Sequence, residues 1–296
     1  MIERLRQQPE RLVHWAAIAA WVALPFVFGP GLSQALDTWD HNTWVVDVAL
    51  FAVGWIVILT ALLLPAPITL SVVRIGGPAT VPLAVWISTQ ADDTSLIVLA
   101  LVSALVVSGL LLSSAFADRF IDGASYGEER RFALKPPGPV LIGLVAPTWV
   151  VAVAGAAAGP LLLGDRQWVL GAILTVIGWP VALLAGRALH NLTRRFVVFV
   201  PNGFVVHHLD VLREPVLFQK REIAGIGPAL ADTAAGDMTN AALGLALELK
   251  FGSGIELPVV TGRDSTEQQT LRAILISPSR PASLLAHARF KGLPIA

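Results

Sequence analysis

The residue best suited to chemistry in this chain is Arg74, because it lies several residues inside an apolar run. A charge at membrane depth is costly and marks a functional site by default. Arg74 opens the segment Arg74-Ile-Gly-Gly-Pro78, in which Gly76-Gly77-Pro78 would interrupt a helix. A helix broken within the bilayer frees backbone groups, and transporters build ion and solute sites from such groups. Pro147 and Pro180, inside later apolar runs, add to that reading. A plainer reading starts the helix near Pro78 and leaves Arg74 in water on the cytoplasmic side.

Other constellations carry less. Glu128-Glu129 could act as an acid–base pair in intramembrane proteolysis, but only on a membrane helix near histidines. Here they occupy a polar loop flanked by glycines. His207 and His208 are neighbours on an expected strand, so they point to opposite faces and cannot share a metal. Gly225-Ile-Gly227 is too short for a dinucleotide fingerprint and runs into Pro228. A lipid-modifying site at the inner interface would need His14, His190, Arg187 and Glu128 to cluster. With no cysteine, the chain has no disulfide, no Cys-ligated zinc, no iron–sulfur cluster and no thiol nucleophile. No catalytic residue, cofactor or metal site is expected.

The elements that would position these residues are membrane helices. Only 14% of residues are charged, against about a quarter in a soluble domain, and 55% are hydrophobic. A net charge of zero points to neither nucleic acid nor an acidic partner. About 20 apolar residues cross a bilayer, and runs of that kind fall at about 12–28, 44–64, 68–87, 96–116, 140–163 and 168–187. Six spans are expected, with five, or a re-entrant third, as the alternative. The polar stretch Met1 to Arg11 and the Gly29-Pro30-Gly31 that follows the first run read as a retained anchor rather than a cleaved signal. The transmembrane domain is expected over 1–193 and a cytoplasmic domain over 194–296.

Sidedness follows from the basic residues of short loops. With the N-terminus inside, Arg4, Arg6, Arg11, Arg74, Arg119, Arg130, Arg131, Lys135, Arg187, Arg194 and Arg195 are cytoplasmic, and only Arg166 is outside. Asp37, Asp40, Asp92, Asp93 and Asp165 fall on the outer side. Trp39, Trp44, Trp86 and Trp168 suit the outer interface and Trp15 the inner one, as in an aromatic belt. Asp47 and His14 sit near span ends. Small residues four apart, Gly155 with Gly159 and Gly171 with Thr175, allow close helix approach, either within the bundle or across a dimer.

After His190 the pattern shifts to short strands. Phe196 to His208 reads as a hairpin around Pro201-Asn202-Gly203. Val216 to Gln219 and Glu222 to Ile226 read as two further strands. Leu245 to Phe251 and Ile255 to Leu257 read as a hairpin turning at Gly252-Ser253-Gly254, with Leu247, Leu249 and Phe251 alternating with Glu248 and Lys250. Asp264 and Glu267 have the spacing of a capping box, so a helix with Leu271, Ile274 and Leu275 on its apolar face is expected over 265–276. A second short helix is expected over 283–291, ended by Gly292.

This succession over 195–277 resembles the bacterial pleckstrin-homology-like (PH-like) domain. The chain as a whole resembles bacterial, in particular actinobacterial, multi-pass membrane proteins that carry such a domain at the C-terminus. The resemblance implies a membrane all-α helical bundle followed by a small α+β, partly open β-barrel with a C-terminal capping helix. It implies a binding or assembly module without catalytic residues. Lys220 and Arg221, with Arg130 and Arg131 of the internal loop, are the candidate contacts to a partner or to lipid headgroups. The function expected is a non-catalytic inner-membrane scaffold or accessory subunit that binds a protein partner or the membrane surface, and oligomers are compatible with it. The alternative is transport of a small or lipidic solute at Arg74, Gly76, Gly77 and Pro78.

Overall fold

A computed structural model of the chain describes residues 8–36, 41–90, 92–208, 210–262 and 265–296. Arg4, Arg6, Asp37, Trp39, Asp40 and Asp264 lie outside these residues, as does the side chain of Asp47. The chain divides into two compact units, one of residues up to Phe120 with Ala146–His190, the other of Ile121–Val145 with Asn191–Ala296.

Among the described residues, six helical stretches in the N-terminal two thirds are long and apolar enough to cross a membrane, the build of a multi-pass membrane protein: Pro9–Gln34, Trp44–Leu63, Pro67–Gln90, Thr94–Leu112, Val145–Gly164 and Trp168–Arg194. They are carried by α1 (Gln8–Leu36), α2 (His41–Leu63), α3 (Pro67–Gly76) with α4 (Thr80–Gln90), α5 (Thr94–Leu112), α8 (Val145–Gly164) and α9 (Trp168–Asn191). Between α5 and α8 come the short helices α6 (Ser114–Asp122) and α7 (Gly138–Gly143). The third span is helical throughout, and its break is one of hydrogen-bond pattern only: a single 3-10 turn at Gly77–Ala79, with helical φ and ψ at Gly76, Gly77 and Thr80, joins α3 to α4.

Few charges are available in this unit, so its helices are tied by polar contacts to backbone. The indoles of Trp21 and Trp55 donate to each other's carbonyls, at 3.0 and 2.9 Å, and so staple α1 to α2. His14 Nε2 lies 2.8 Å from the Leu62 carbonyl, with its ring edge-on to Phe120. The small residues of α8 and α9 meet inside the unit: a side chain at Gly159 would strike the Thr175 backbone nitrogen at 2.5 Å, and one at Gly155 the Gly178 carbonyl at 2.9 Å. Intramolecular packing therefore accounts for that spacing. Pro147 falls in the first turn of α8, where a missing N–H costs nothing, so it does not break the fifth span.

The second unit consists of two four-stranded sheets. One is an antiparallel meander of β1 (Arg130–Ala133), β2 (Phe196–Val200), β3 (Gly203–His207) and β4 (Val216–Gln219), with Phe196 opposite His207 and Val200 opposite Gly203 across the turn. The other has the order β5-β7-β8-β6, from β5 (Ile223–Pro228), β6 (Gly236–Asp237), β7 (Leu247–Val260) and β8 (Thr266–Ile276). Between them lies a core that includes Phe199, Phe204, Phe218, Leu249, Ile274 and Ile276, joined by Leu284 and Ala288 of α10 (Pro281–Phe290). Gly292, in the left-handed region at φ +73°, ends the chain's last helix.

The structure corrects three expectations. Residues 266–276 are not a capping helix but strand β8, paired along β7 from Leu247↔Ile276 to Val260↔Thr266. Its inward Ile274 and Ile276 follow a period of two, which a helical stripe through Leu271, Ile274 and Leu275 concealed. Gly252-Ser253-Gly254 is not a hairpin turn: β7 runs through it, and the extra residues are absorbed by a register shift between Lys250 and Ile255. The internal loop supplies β1, which pairs with β2, so 121–145 belongs with the second unit.

His208, just past β3, is 1% exposed, and neither ring nitrogen has a hydrogen-bond partner among the described residues. Burial, and then repulsion from Arg195, push its pKa down to about 4. Unfolded chain takes up this proton near pH 6.5, whereas the folded chain holds it off until about pH 4. Stability is therefore expected to fall as pH drops through that window, by about 3 kcal/mol in all at 1.36 kcal/mol per unit. Thermal unfolding of the purified protein across this range should have a flatter pH slope in His208→Asn; an unchanged slope would contradict the assignment.

Candidate functional site

The broken third span brings together the residues singled out for a transport site, and their contacts define what they can do. Arg74 lies near the carbonyl end of α5. Its Nε donates to the Leu111 carbonyl at 3.3 Å, and its Nη2 to those of Leu112 and Ser113 at 3.2 and 3.3 Å. Ser113 covers the remaining Leu110 carbonyl through its N–H and its hydroxyl, at 3.3 and 2.7 Å. A helix leaves its last carbonyls unpaired and carries partial negative charge there. Arg74 thus answers both the hydrogen-bonding and the electrostatic need of the α5 terminus, and the buried carboxylate of Asp118 adds a favourable interaction with it.

The backbone at the break is also engaged. The Ile75 carbonyl accepts from Trp149 Nε1 at 2.8 Å, and the Gly77 carbonyl from Thr80 Oγ1 at 2.8 Å. These are the groups a discontinuous helix would otherwise offer an ion. Gly76 and Gly77 serve close packing: a Cβ on Gly77 would fall 2.2 Å from Leu111 Cδ1, and one on Gly76 2.5 Å from Ile58 Cδ1. Pro78 sits in the 3-10 turn, where it interrupts no α-helical ladder.

Beside the break, on the face of Gly76, Ala79 and Thr80, lies a crevice of about 960 Å³. Its walls come from α1, α2, α3, α4 and α8, with Trp21, Trp55 and Leu83 prominent. The two indole N–H groups are already bonded to backbone, so these rings present carbon to the cavity. Asp165, just after α8, is the one charged residue among the crevice's lining. The volume is at the upper end of small-molecule sites, which run to about 1,000 Å³, but the lining suits hydrocarbon rather than a polar solute. A smaller polar hollow of about 430 Å³ is lined by Gln34, Gln90, Asp92 and Asp93. Asp93 caps α5 by accepting from the Ser95 N–H at 2.8 Å, and bonding to Ser95 holds its carboxyl below the usual range.

In the first unit, His190 Nδ1 lies 2.7 Å from the Ser71 hydroxyl while His14 bonds to Leu62, so the two histidines find separate partners. In the second unit, Arg130 is 6% exposed and paired with Asp122, and its guanidinium also lies over Phe132. Arg131 bonds to Asp122 through its backbone and to Glu129 through its side chain, and stacks over Phe196. Lys220 donates to the Lys291 carbonyl at the end of α10, and Arg221 is exposed. Glu128 pairs with Lys291 at 3.6 Å. His207 is stacked on Phe196 and His208 is buried, so the two rings have separate surroundings. Among the described residues, no three His, Asp or Glu side chains come together as metal ligands.

Sequence reasoning missed Trp149, Trp21 with Trp55, and Asp122. A lone tryptophan or aspartate carries no spacing signal: the tryptophans find their partners 34 and 74 residues away, and Asp122 pairs across a turn with Arg130, outside any helical spacing. Comparison of the chain with protein-family models, with curated proteins and with solved structures finds no match.

If Arg74 is a structural cap, Arg74→Gln should lower the thermal midpoint of the purified protein irrespective of any added solute. The expected cost is about 1–3 kcal/mol for carbonyls left unpaired, and Arg74→Lys should recover part of it. A midpoint unmoved by Arg74→Gln would show that the cap contributes nothing.

Proposed function

We propose that this chain is a non-catalytic, multi-pass scaffold or accessory subunit of a bacterial inner membrane, with both termini cytoplasmic. Its second unit would be a PH-like module that docks a protein partner or the membrane surface. The observation that carries this reading is the engagement of the polar groups around the third span: Arg74 caps α5, His14 and His190 bond within the bundle, and Trp149 and Thr80 occupy carbonyls at the break. These are the groups a transport or catalytic site would need. Sidedness rests on eleven basic residues assigned inside against one outside. Two sheets around one core, with α10 packed on it, support the PH-like reading.

The crevice favours a second reading, in which the bundle holds a lipidic molecule by its hydrocarbon chain. Its mostly carbon-lined walls are the reason. Native mass spectrometry of the protein released from mild detergent tests both. The first reading expects a stoichiometric protein partner. The second expects a lipid-sized adduct, lost in Ala157→Phe, which narrows the crevice. A bare monomer would contradict the partner-docking form of the first reading and the whole of the second.

A further inference from the structure

The second unit carries an exposed leucine cluster whose position follows from its own contacts. Leu243 is 53% exposed, Leu245 51% and Leu230 67%. The Ala229 N–H bonds to the Ala246 carbonyl at 3.1 Å, which brings Leu230 beside Leu245. The loop that presents Leu243 is held in costly geometry: Asn240 and Ala241 both adopt the left-handed region, at φ +52° and +56°, followed by Gly244 at +93°. Side chains other than glycine persist there only where surroundings enforce it, and such sites accompany function.

What enforces it is the stretch just before the fifth span. The Gly138 N–H donates to the Ala241 carbonyl at 3.0 Å, Pro137 bridges to Ala242, and Lys135 Nζ donates to the Leu243 carbonyl at 3.0 Å. From Gly138 the chain runs through α7, which exposes Leu141 and Ile142, into the span that begins at Val145. At 1.5 Å of helical rise per residue, Gly138 stands about 10 Å along the chain from the start of that span. The headgroup region on each side of the hydrocarbon core is about 5–8 Å deep. A loop bonded to Gly138 is therefore tethered within reach of the headgroup region.

We propose that Leu243 and Leu245, with Leu230, insert into the bilayer interface and hold the second unit to the membrane surface. The occupant is lipid because Leu243 packs against Gly138 at the start of α7, whose exposed Leu141 and Ile142 lead along the chain to the span, and because Lys135 places a cation at its root, where anionic headgroups would meet it. Apolar side chains backed by a basic residue are the usual composition of interfacial anchors. The inference rests on the membrane-docking reading of the second unit and requires no protein partner.

The absence of cysteine makes the test direct. Single variants Leu243→Cys and Leu245→Cys, and Tyr126→Cys as an exposed reference in the same unit (Tyr126 is 86% exposed), are labelled with the polarity-sensitive dye NBD. The full-length protein is reconstituted in vesicles of phosphatidylethanolamine and phosphatidylglycerol. Dye at 243 and 245 should emit to the blue of dye at 126 and lose most of its emission to lipids with a quencher near the headgroup. Water-like emission, quenched by aqueous iodide but not by lipid, would overturn the proposal. So would blue-shifted emission that neither reagent quenches, which would mean protein covers the loop. A lone monomer with lipid-quenched dye would remove the partner reading and leave the membrane seat standing.

Discussion

A backbone polar group in hydrocarbon must find its partner inside the protein, and the Arg74 guanidinium on the last carbonyls of α5 is where this chain meets that demand most fully. The third span can break at Gly77 because Trp149 and Thr80 occupy carbonyls there, and because Gly76 and Gly77 let Ile58 and Leu111 close over the gap. The fourth span can end at Leu112 because Arg74 and Ser113 cover its terminus. One cation thus stabilises two spans, and its cost in the membrane is offset by the helix end it faces.

The same economy decides what the bundle has left to offer. Trp21 and Trp55 turn their N–H groups to backbone, so the cavity they help enclose is lined mostly by carbon. The second unit follows different rules, because water is available to it. It has a continuous aromatic and aliphatic core between two sheets, and the cation it buries at Arg130 is paired with Asp122. Among its departures from polar surface chemistry is the leucine loop bonded to Gly138.

Six apolar runs were legible because bilayer thickness imposes a length on each. The hairpin from Phe196 to His207 was legible because β-branched and aromatic residues flank an Asn-Gly turn. The strand β8 was not, since Asp264, Glu267 and a three-residue apolar stripe imitate a helix, and only pairing with β7 decides the matter. Arg74 was visible as an anomaly, but its meaning was not, because the carbonyls it caps lie 37 to 39 residues away. Spacing rules describe neighbours along one element and are blind to such partners. The loop at 240–246 gave no sign either, since its conformation is imposed by residues more than a hundred positions earlier.

The central claim is that the break in the third span is sealed and faces a dry crevice. The most direct measurement is thiol accessibility in the otherwise cysteine-free chain, with Ala79→Cys and Leu83→Cys examined one at a time in bilayers. The account predicts that a charged, water-soluble maleimide fails at both positions while a membrane-soluble one reacts. Reaction of either cysteine with the charged reagent would reveal a water-filled path beside Arg74 and contradict it.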